Sequence, residues 1–205
     1  MNSKKALAHL SKDLILKKII NKLDAPKPIV SDGVYADLIK AIIYQQISTK
    51  AADKIYERYT ALVDFELQNP EVLLNTPFDD LRQAGLSRQK ASYVQNIAEF
   101  FVAEKIKEDI WENMNDQDIV KYLTQIKGVG KWTVEMMLIF SLGRPDVFPD
   151  RDYAIQMVIK DLYDLKTDKT ALIKDINVLA EMWSPYRTLA SLYLWQWVRY
   201  NREKG

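Results

Sequence analysis

Apolar residues recur three or four positions apart along almost the whole chain, the spacing of one face of an α-helix. Between Ser3 and Leu23 the stripe is Ala6, Leu7, Leu10, Leu14, Ile15, Ile19 and Leu23, and Asp24-Ala25-Pro26-Lys27-Pro28 ends it. A second helix is predicted from Tyr35 to about Tyr44, on Leu38, Ile39, Ile42 and Ile43. Ser48 is placed to cap a third, with Ala51, Ala52, Ile55, Tyr56 and Tyr59 on one stripe. Asn69-Pro70 and Thr76-Pro77 each pair a cap with proline at the first helical position, and Gly85 suits the end of the second of these helices. Ser87 opens a helix through Phe101, and Asn115 or Asp116 opens one that runs to Ile126. Helices at about Trp132 to Ser141, Asp152 to Tyr163, Thr167 to Glu181 and Ser184-Pro185 to Asn201 complete the set. No run alternates with period two, so the expected fold class is all-α, with roughly ten helices.

The proline-bearing stretch near Pro26 is the one linker-like segment. It divides the chain into residues 1–34, a helix expected to pack back on the C-terminal helices, and 35–205, the main helical body. Composition then removes whole classes of chemistry. The 205 residues include one His and no Cys, so a disulfide framework, a thiolate zinc site, an iron–sulfur cluster and a cysteine nucleophile are all excluded. Lys and Arg number 29 against 28 Asp and Glu, and a net charge of +1 speaks against bulk polyanion binding while allowing a local patch. No stretch offers the ~20 uninterrupted apolar residues of a membrane span. His9, Lys12 and Asp13 interrupt what would be a signal-peptide core, so a cytoplasmic location with no membrane partner is expected.

Two segments carry candidate chemistry. In Leu123-Thr-Gln-Ile-Lys-Gly128-Val129-Gly130-Lys131-Trp132-Thr133 a very short turn with two glycines joins two helices. Glycine permits positive φ and close backbone approach, and a helix N-terminus beside it suits a phosphate oxygen. Lys127 and Lys131 add positive charge. A plain αα-corner would look the same locally. In Asp146-Val-Phe-Pro149-Asp150-Arg151-Asp152-Tyr153 a loop enters a helix with Asp152 where a cap stands. Capping and catalysis are compatible there. Such a carboxylate is a poor proton donor, but it can face developing positive charge or take a proton from water.

Together these segments resemble a known family. Ile126-Lys-Gly-Val-Gly-Lys-Trp-Thr133, followed by Phe148-Pro149 and Asp152, is similar to the helix–hairpin–helix, Gly/Pro-Asp superfamily of DNA glycosylases. Ala41-Ile-Ile-Tyr-Gln-Gln-Ile-Ser-Thr-Lys-Ala-Ala52, Ala84-Gly-Leu-Ser-Arg-Gln-Lys-Ala91, Trp183-Ser-Pro-Tyr-Arg187 and Tyr193-Leu-Trp195 resemble its 3-methyladenine DNA glycosylase II branch. The likeness runs from Tyr35 to Trp197 in the family's order.

The resemblance implies a two-lobed helical fold with a cleft between the lobes, and hydrolysis of the N-glycosidic bond of an alkylated purine such as 3-methyladenine after base flipping. Its catalytic aspartate matches Asp152, with Asp150 as the alternative because Arg151 separates the two acids. Trp132 and Trp195 match aromatics of the base pocket, and Met136 falls where a relative has tyrosine. An electron-rich ring against a cationic purine would select alkylated bases. Gln46 matches the residue that wedges into the duplex, and Gly128, Gly130, Lys127, Lys131 and Thr133 match the phosphate-gripping hairpin. Carbonyls of Thr124, Ile126 and Val129 match ligands of a structural Na+ or K+, the one cofactor expected. In the branch that also cuts the backbone a lysine stands where this chain has Trp132, so no lyase activity is expected. The N-terminal β-rich lobe of larger bacterial members is expected to be absent, since only residues 1–34 precede the matched span. The expected partner is double-stranded DNA bearing alkylated bases, met by a nucleoid-associated monomer. Two rivals stand beside this reading: a catalytically silent DNA-binding module that uses the hairpin alone, and a glycosylase for an oxidised or mismatched base.

Overall fold

The computed structural model describes residues 4–27, 31–64 and 69–204; Ser3 and Pro28, which bound the first predicted stripe and its breaker, lie outside them. The helices in chain order begin with α1 (Lys4–Leu10), α2 (Leu14–Lys22), α3 (Val34–Tyr44) and α4 (Thr49–Leu62). They continue with α5 (Pro70–Asn75), α6 (Phe78–Gln83), α7 (Arg88–Ala103) and α8 (Asp116–Leu123), a 3-10 helix at Glu108–Asn113 preceding α8. The last are α9 (Lys131–Phe140), α10 (Tyr153–Leu162), α11 (Lys169–Ala180) and α12 (Arg187–Arg202), with a second 3-10 helix at Glu181–Trp183. Among the described residues there is no strand, and the all-α expectation holds. No helix among them is long and apolar enough to cross a membrane.

Two compact units divide the chain, and the division differs from 1–34 against 35–205. The first joins Met1–Ile29 to Gly143–Gly205, and the second is Val30–Leu142. The first unit therefore draws on both ends of the chain: α2 packs on α12, and α1 on the 3-10 helix before it. Its core gathers Leu10, Leu16, Ile155, Ile176, Leu194 and the fully buried Trp183, which meets Phe148 edge-on at 5.8 Å. In the second unit α3 buries residues on nearly every side, from Tyr35 and Leu38 to Ile42 and Ile43. A helix that is apolar all round must be wrapped by others. Here α4, α7 and α9 do the wrapping.

The structure corrects the sequence reading at helix boundaries. The stripe from Ser3 to Leu23 is two helices, because Asp13 turns its side chain back to accept N–H bonds from Ile15 (2.8 Å) and Leu16 (3.2 Å) and so starts α2 afresh. Thr76 caps no following helix. Its hydroxyl donates to the Val72 carbonyl (2.9 Å) and finishes α5, leaving Pro77 to lead into α6. The helix predicted to reach Ile126 stops at Leu123. Elsewhere the caps at Ser48, Asn69, Ser87 and Asn115 accept backbone N–H bonds as expected.

Asp13 does more than cap. Its Oδ2 accepts the indole N–H of Trp183 (2.9 Å) and the hydroxyl of Tyr163, binding α2 to the far part of the same unit. Burial first, then the hydrogen bond and charge of Asp13, raise the Tyr163 pKa well above the usual 10. A folded tyrosine that keeps its proton beyond the unfolded value contributes stability below pH ~10 and loses it as pH rises further. Replacing Asp13 by Ala removes a cap and orphans a buried indole N–H, which together cost about 2–4 kcal/mol. Urea unfolding checks this, and a loss under 1 kcal/mol would refute the clamp.

Candidate active site

In the first unit, the loop ahead of α10 is stitched to the start of α12. Asp146 accepts a forked pair of bonds from Arg187, Nε to Oδ1 at 2.9 Å and Nη2 to Oδ2 at 2.8 Å. It also accepts the Arg187 backbone N–H (3.2 Å) and the Ser184 hydroxyl (2.9 Å). Such a bidentate pair fixes orientation as well as distance. Burial alone would raise the Asp146 pKa, but the bonds from Arg187 and Ser184 outweigh it and hold the carboxyl below its usual range. The Thr188 hydroxyl donates to the Arg144 carbonyl (2.6 Å) and accepts the Val147 N–H (3.0 Å). Further along, the Asp150 carboxylate accepts from Asn177 Nδ2 (3.1 Å), and its carbonyl accepts from Gln156 Nε2 (2.8 Å). Asp150 thus belongs to the scaffold of the loop.

Asp152 closes the loop and caps α10. Its Oδ1 accepts the Ile155 N–H at 2.9 Å and the Trp195 indole N–H at 3.2 Å. Two of the residues singled out in the sequence are therefore in direct contact. Both are half-buried, and their bond lies within one compact unit. Two donors converging on a single oxygen fix the plane of the carboxyl group.

The second unit holds the hairpin between α8 and α9. Gly128 has φ +107°, and a Cβ built there would lie 2.3 Å from Tyr93 Cγ, so only glycine fits beneath that ring. Asn96 Nδ2 donates to the Lys127 carbonyl (2.9 Å) and pins the turn from the same helix, α7. Gly130 is different. It caps α9 at φ −97°, and a Cβ there would meet nothing within 4 Å. The sequence reading treated the two glycines alike; only Gly128 is required by the turn itself.

Around them, Lys127 is exposed, and Lys131 pairs with the buried Glu135 one turn along at 3.1 Å. Thr133 is buried and its hydroxyl accepts Gln45 Nε2 (3.3 Å), so its side chain, matched in the sequence to phosphate binding, is spent on an internal contact. Trp132 and Met136 are half-buried and one helical turn apart on α9. Ile126 and Val129 are buried, and the Ile126 carbonyl accepts the Val129 N–H (3.0 Å), one of its two lone pairs. Gln46 is exposed in the turn between α3 and α4, at φ +56°.

This hairpin and the helix-capping Asp152 on its proline-bearing loop both fall within the span of one family model. That model, of HhH-GPD superfamily base excision DNA repair proteins, matches residues 39–185. The chain belongs to this superfamily. A relative, DNA-3-methyladenine glycosylase 1 of Schizosaccharomyces pombe, is 33% identical over 184 residues, covering 88% of this chain and 79% of its own. Among solved structures, the S. pombe 3-methyladenine DNA glycosylase bound to abasic DNA superposes with a TM-score of 0.84 at 33% identity, over 94% of this chain and 96% of that one. The DNA-3-methyladenine glycosidase of Bacillus halodurans gives 0.83 at 32% identity, over 98% and 92%.

The sequence reading missed the residues that hold this HhH-GPD site in place. Arg187 ends the Trp183–Arg187 motif, but its partner Asp146 lies 41 positions upstream, where no local pattern pairs them. Lys90, Tyr93 and Asn96 likewise gained meaning only from the contacts of α7. The two hairpin glycines offer a matched test. Gly128→Ala combines a strained φ with a clash against Tyr93 and is expected to cost about 2–5 kcal/mol. Gly130→Ala loses at most about 1 kcal/mol of capping preference. Thermal unfolding of the two variants checks the contrast, and equal losses would contradict it.

Proposed function

We propose that this chain is a monofunctional DNA glycosylase of base excision repair, acting as a monomer on double-stranded DNA and hydrolysing the N-glycosidic bond of alkylated purines. The observation that carries the reading is the carboxylate of Asp152, oriented by Ile155 N–H and Trp195 N–H at the mouth of α10. Glycoside hydrolysis ordinarily uses two carboxyl groups, one to protonate the leaving group and one to meet the oxocarbenium-like sugar. An N-alkylated purine is already cationic. When its bond to C1′ breaks, the purine keeps the electron pair and leaves neutral, so no acid is needed. Asp152 then stabilises the positive sugar, and water adds to C1′ and gives up a proton, leaving a free base and an abasic site. Eversion of the nucleotide precedes this chemistry, because the target bond is not reachable within the stack.

The other residues take roles that fit their places. Trp195, tied to the carboxylate, has an aromatic face of the kind that suits a cationic base, and within the second unit Trp132 and Met136 have aromatic and polarisable surfaces of the same kind. The first turn of α9 and Lys127 suit a phosphate, and the open space over Gly130 suits close approach of a sugar–phosphate backbone. Exposed Gln46 is placed to enter the duplex. The tryptophan at position 132, where a Schiff-base lysine would otherwise stand, supports hydrolysis without strand cleavage. The carbonyls of Thr124, Ile126 and Val129 are neutral oxygen donors of the kind a hard cation takes, and Na+ or K+ there would offset phosphate charge.

Asp152→Asn is the decisive variant, because asparagine caps a helix about as well as aspartate and still accepts the Trp195 N–H. Excision of alkylated purines, read as alkali-labile sites in treated duplex, is expected to fall at least ~100-fold while duplex affinity stays near wild type. Wild-type protein that yields no abasic sites would point to the silent DNA-binding module instead, and one that releases only oxidised or mismatched bases to a different substrate. For the cation, replacing K+ by tetramethylammonium at constant ionic strength is expected to weaken duplex binding; equal affinity in both refutes it.

A further inference from the structure

One face of α7 touches both elements assigned to DNA contact in the second unit. Three residues spaced three apart, Lys90, Tyr93 and Asn96, share that face. Tyr93 lays its ring on Gly128, and Asn96 holds the Lys127 carbonyl. Lys90 works at the other end. Its ammonium donates to the carbonyls of Ile43 and Gln45, each at 2.7 Å, at the point where α3 gives way to the turn that carries Gln46.

A cavity of about 310 Å³ lies beside that turn, bounded by Gln45, Gln46, Ile47, Ile55, Gln89, Lys90 and Tyr93, so polar and apolar groups both line it, and the Lys90 ammonium bridges the backbone carbonyls at its wall. Gln89 Nε2 donates to the Tyr93 hydroxyl (2.6 Å) and ties the cavity wall to the ring that covers Gly128. Gln45 Nε2 reaches Thr133 on α9, closing a second path from the turn to the hairpin. Charge-assisted bonds to two carbonyls hold a backbone more firmly than neutral ones. Partial burial lowers the Lys90 pKa from the usual lysine value.

We infer that Lys90 is a positioning residue, holding the Gln45-Gln46 turn in register with the Gly128 hairpin so that Gln46 enters the duplex opposite the phosphates the hairpin grips. The inference rests on the proposed function and deepens it: α7 acts as a spacer between grip and wedge. Removing the ammonium leaves the hairpin on Tyr93 and Asn96 but frees the turn. Duplex binding then survives while base eversion fails.

The test compares Lys90→Met, Lys90→Arg and Gln46→Ala in the full chain. Single-turnover excision of an alkylated purine is measured beside the brightening of a neighbouring 2-aminopurine as it unstacks, the latter also in an Asp152→Asn background where no bond is cut. Lys90→Met is expected to slow unstacking and excision together by about 10–100-fold, the scale of an ångström of misplacement. Affinity for undamaged duplex should stay within ~2-fold, because phosphate contacts set it. Lys90→Arg should recover most of the loss, and combining Lys90→Met with Gln46→Ala should be no worse than either alone. If Lys90→Met does not fold, Gln45→Leu, which cuts the link to Thr133, takes its place in the comparison. Unstacking at the wild-type rate in Lys90→Met, or a fall in duplex affinity that matches the fall in excision, overturns the inference while leaving the proposed function standing. A wild-type protein that neither unstacks nor excises defeats both.

Discussion

A helix must find acceptors for the N–H groups of its first turn, and α10 finds one in the same carboxylate oxygen that receives the indole of Trp195. The chemistry proposed for the first unit depends on that shared atom. A flexible aspartate in a loop would sample many directions. This one is held by a structural demand that exists whether or not a ligand is present. The scaffold behind it repeats the device at every step, from the forked Asp146–Arg187 pair to the Thr188 hydroxyl bridging two loop residues. None of these bonds touches a reacting atom. Their common effect is to bond the loop to α12 at several points, beside the bond that sets the carboxylate against the ring of Trp195.

How legible this was depended on distance along the chain. Caps one turn from their partners, at Ser48, Ser87, Asn115 and Asp152, could be read directly, since both members of each bond lie within three residues. Boundaries failed where two local signals competed. At Asp13 an unbroken apolar stripe argued for one helix, and a side chain able to cap argued for two; the cap won because Trp183 and Tyr163 also needed its oxygen. At Thr76 the hydroxyl turned back to the preceding helix, an alternative a threonine always has. The pairings of Lys90 with Ile43 and of Arg187 with Asp146 span 47 and 41 residues, and no periodicity reports on them. Family likeness named the residues of the site without naming what holds them.

The hairpin shows why one letter can carry two meanings. Gly128 answers to the inside of the protein, where Tyr93 leaves no room for a Cβ. Gly130 answers to nothing inside: its backbone is ordinary and its surroundings are open. A residue unconstrained by its own fold, in a turn otherwise tightly determined, directs attention to what comes from outside. Thr133 answers to the inside as Gly128 does, buried with its hydroxyl turned to Gln45.

The clamp at Asp13 has a consequence for how the molecule comes into being. Its partners Tyr163 and Trp183 are translated long after it, separated by the whole of the unit Val30–Leu142. On the ribosome that middle unit can condense while α1 and α2 wait with their apolar faces uncovered. The unit that carries the carboxylate thus closes only once the segment from Gly143 onward has been made, after the whole of the middle unit.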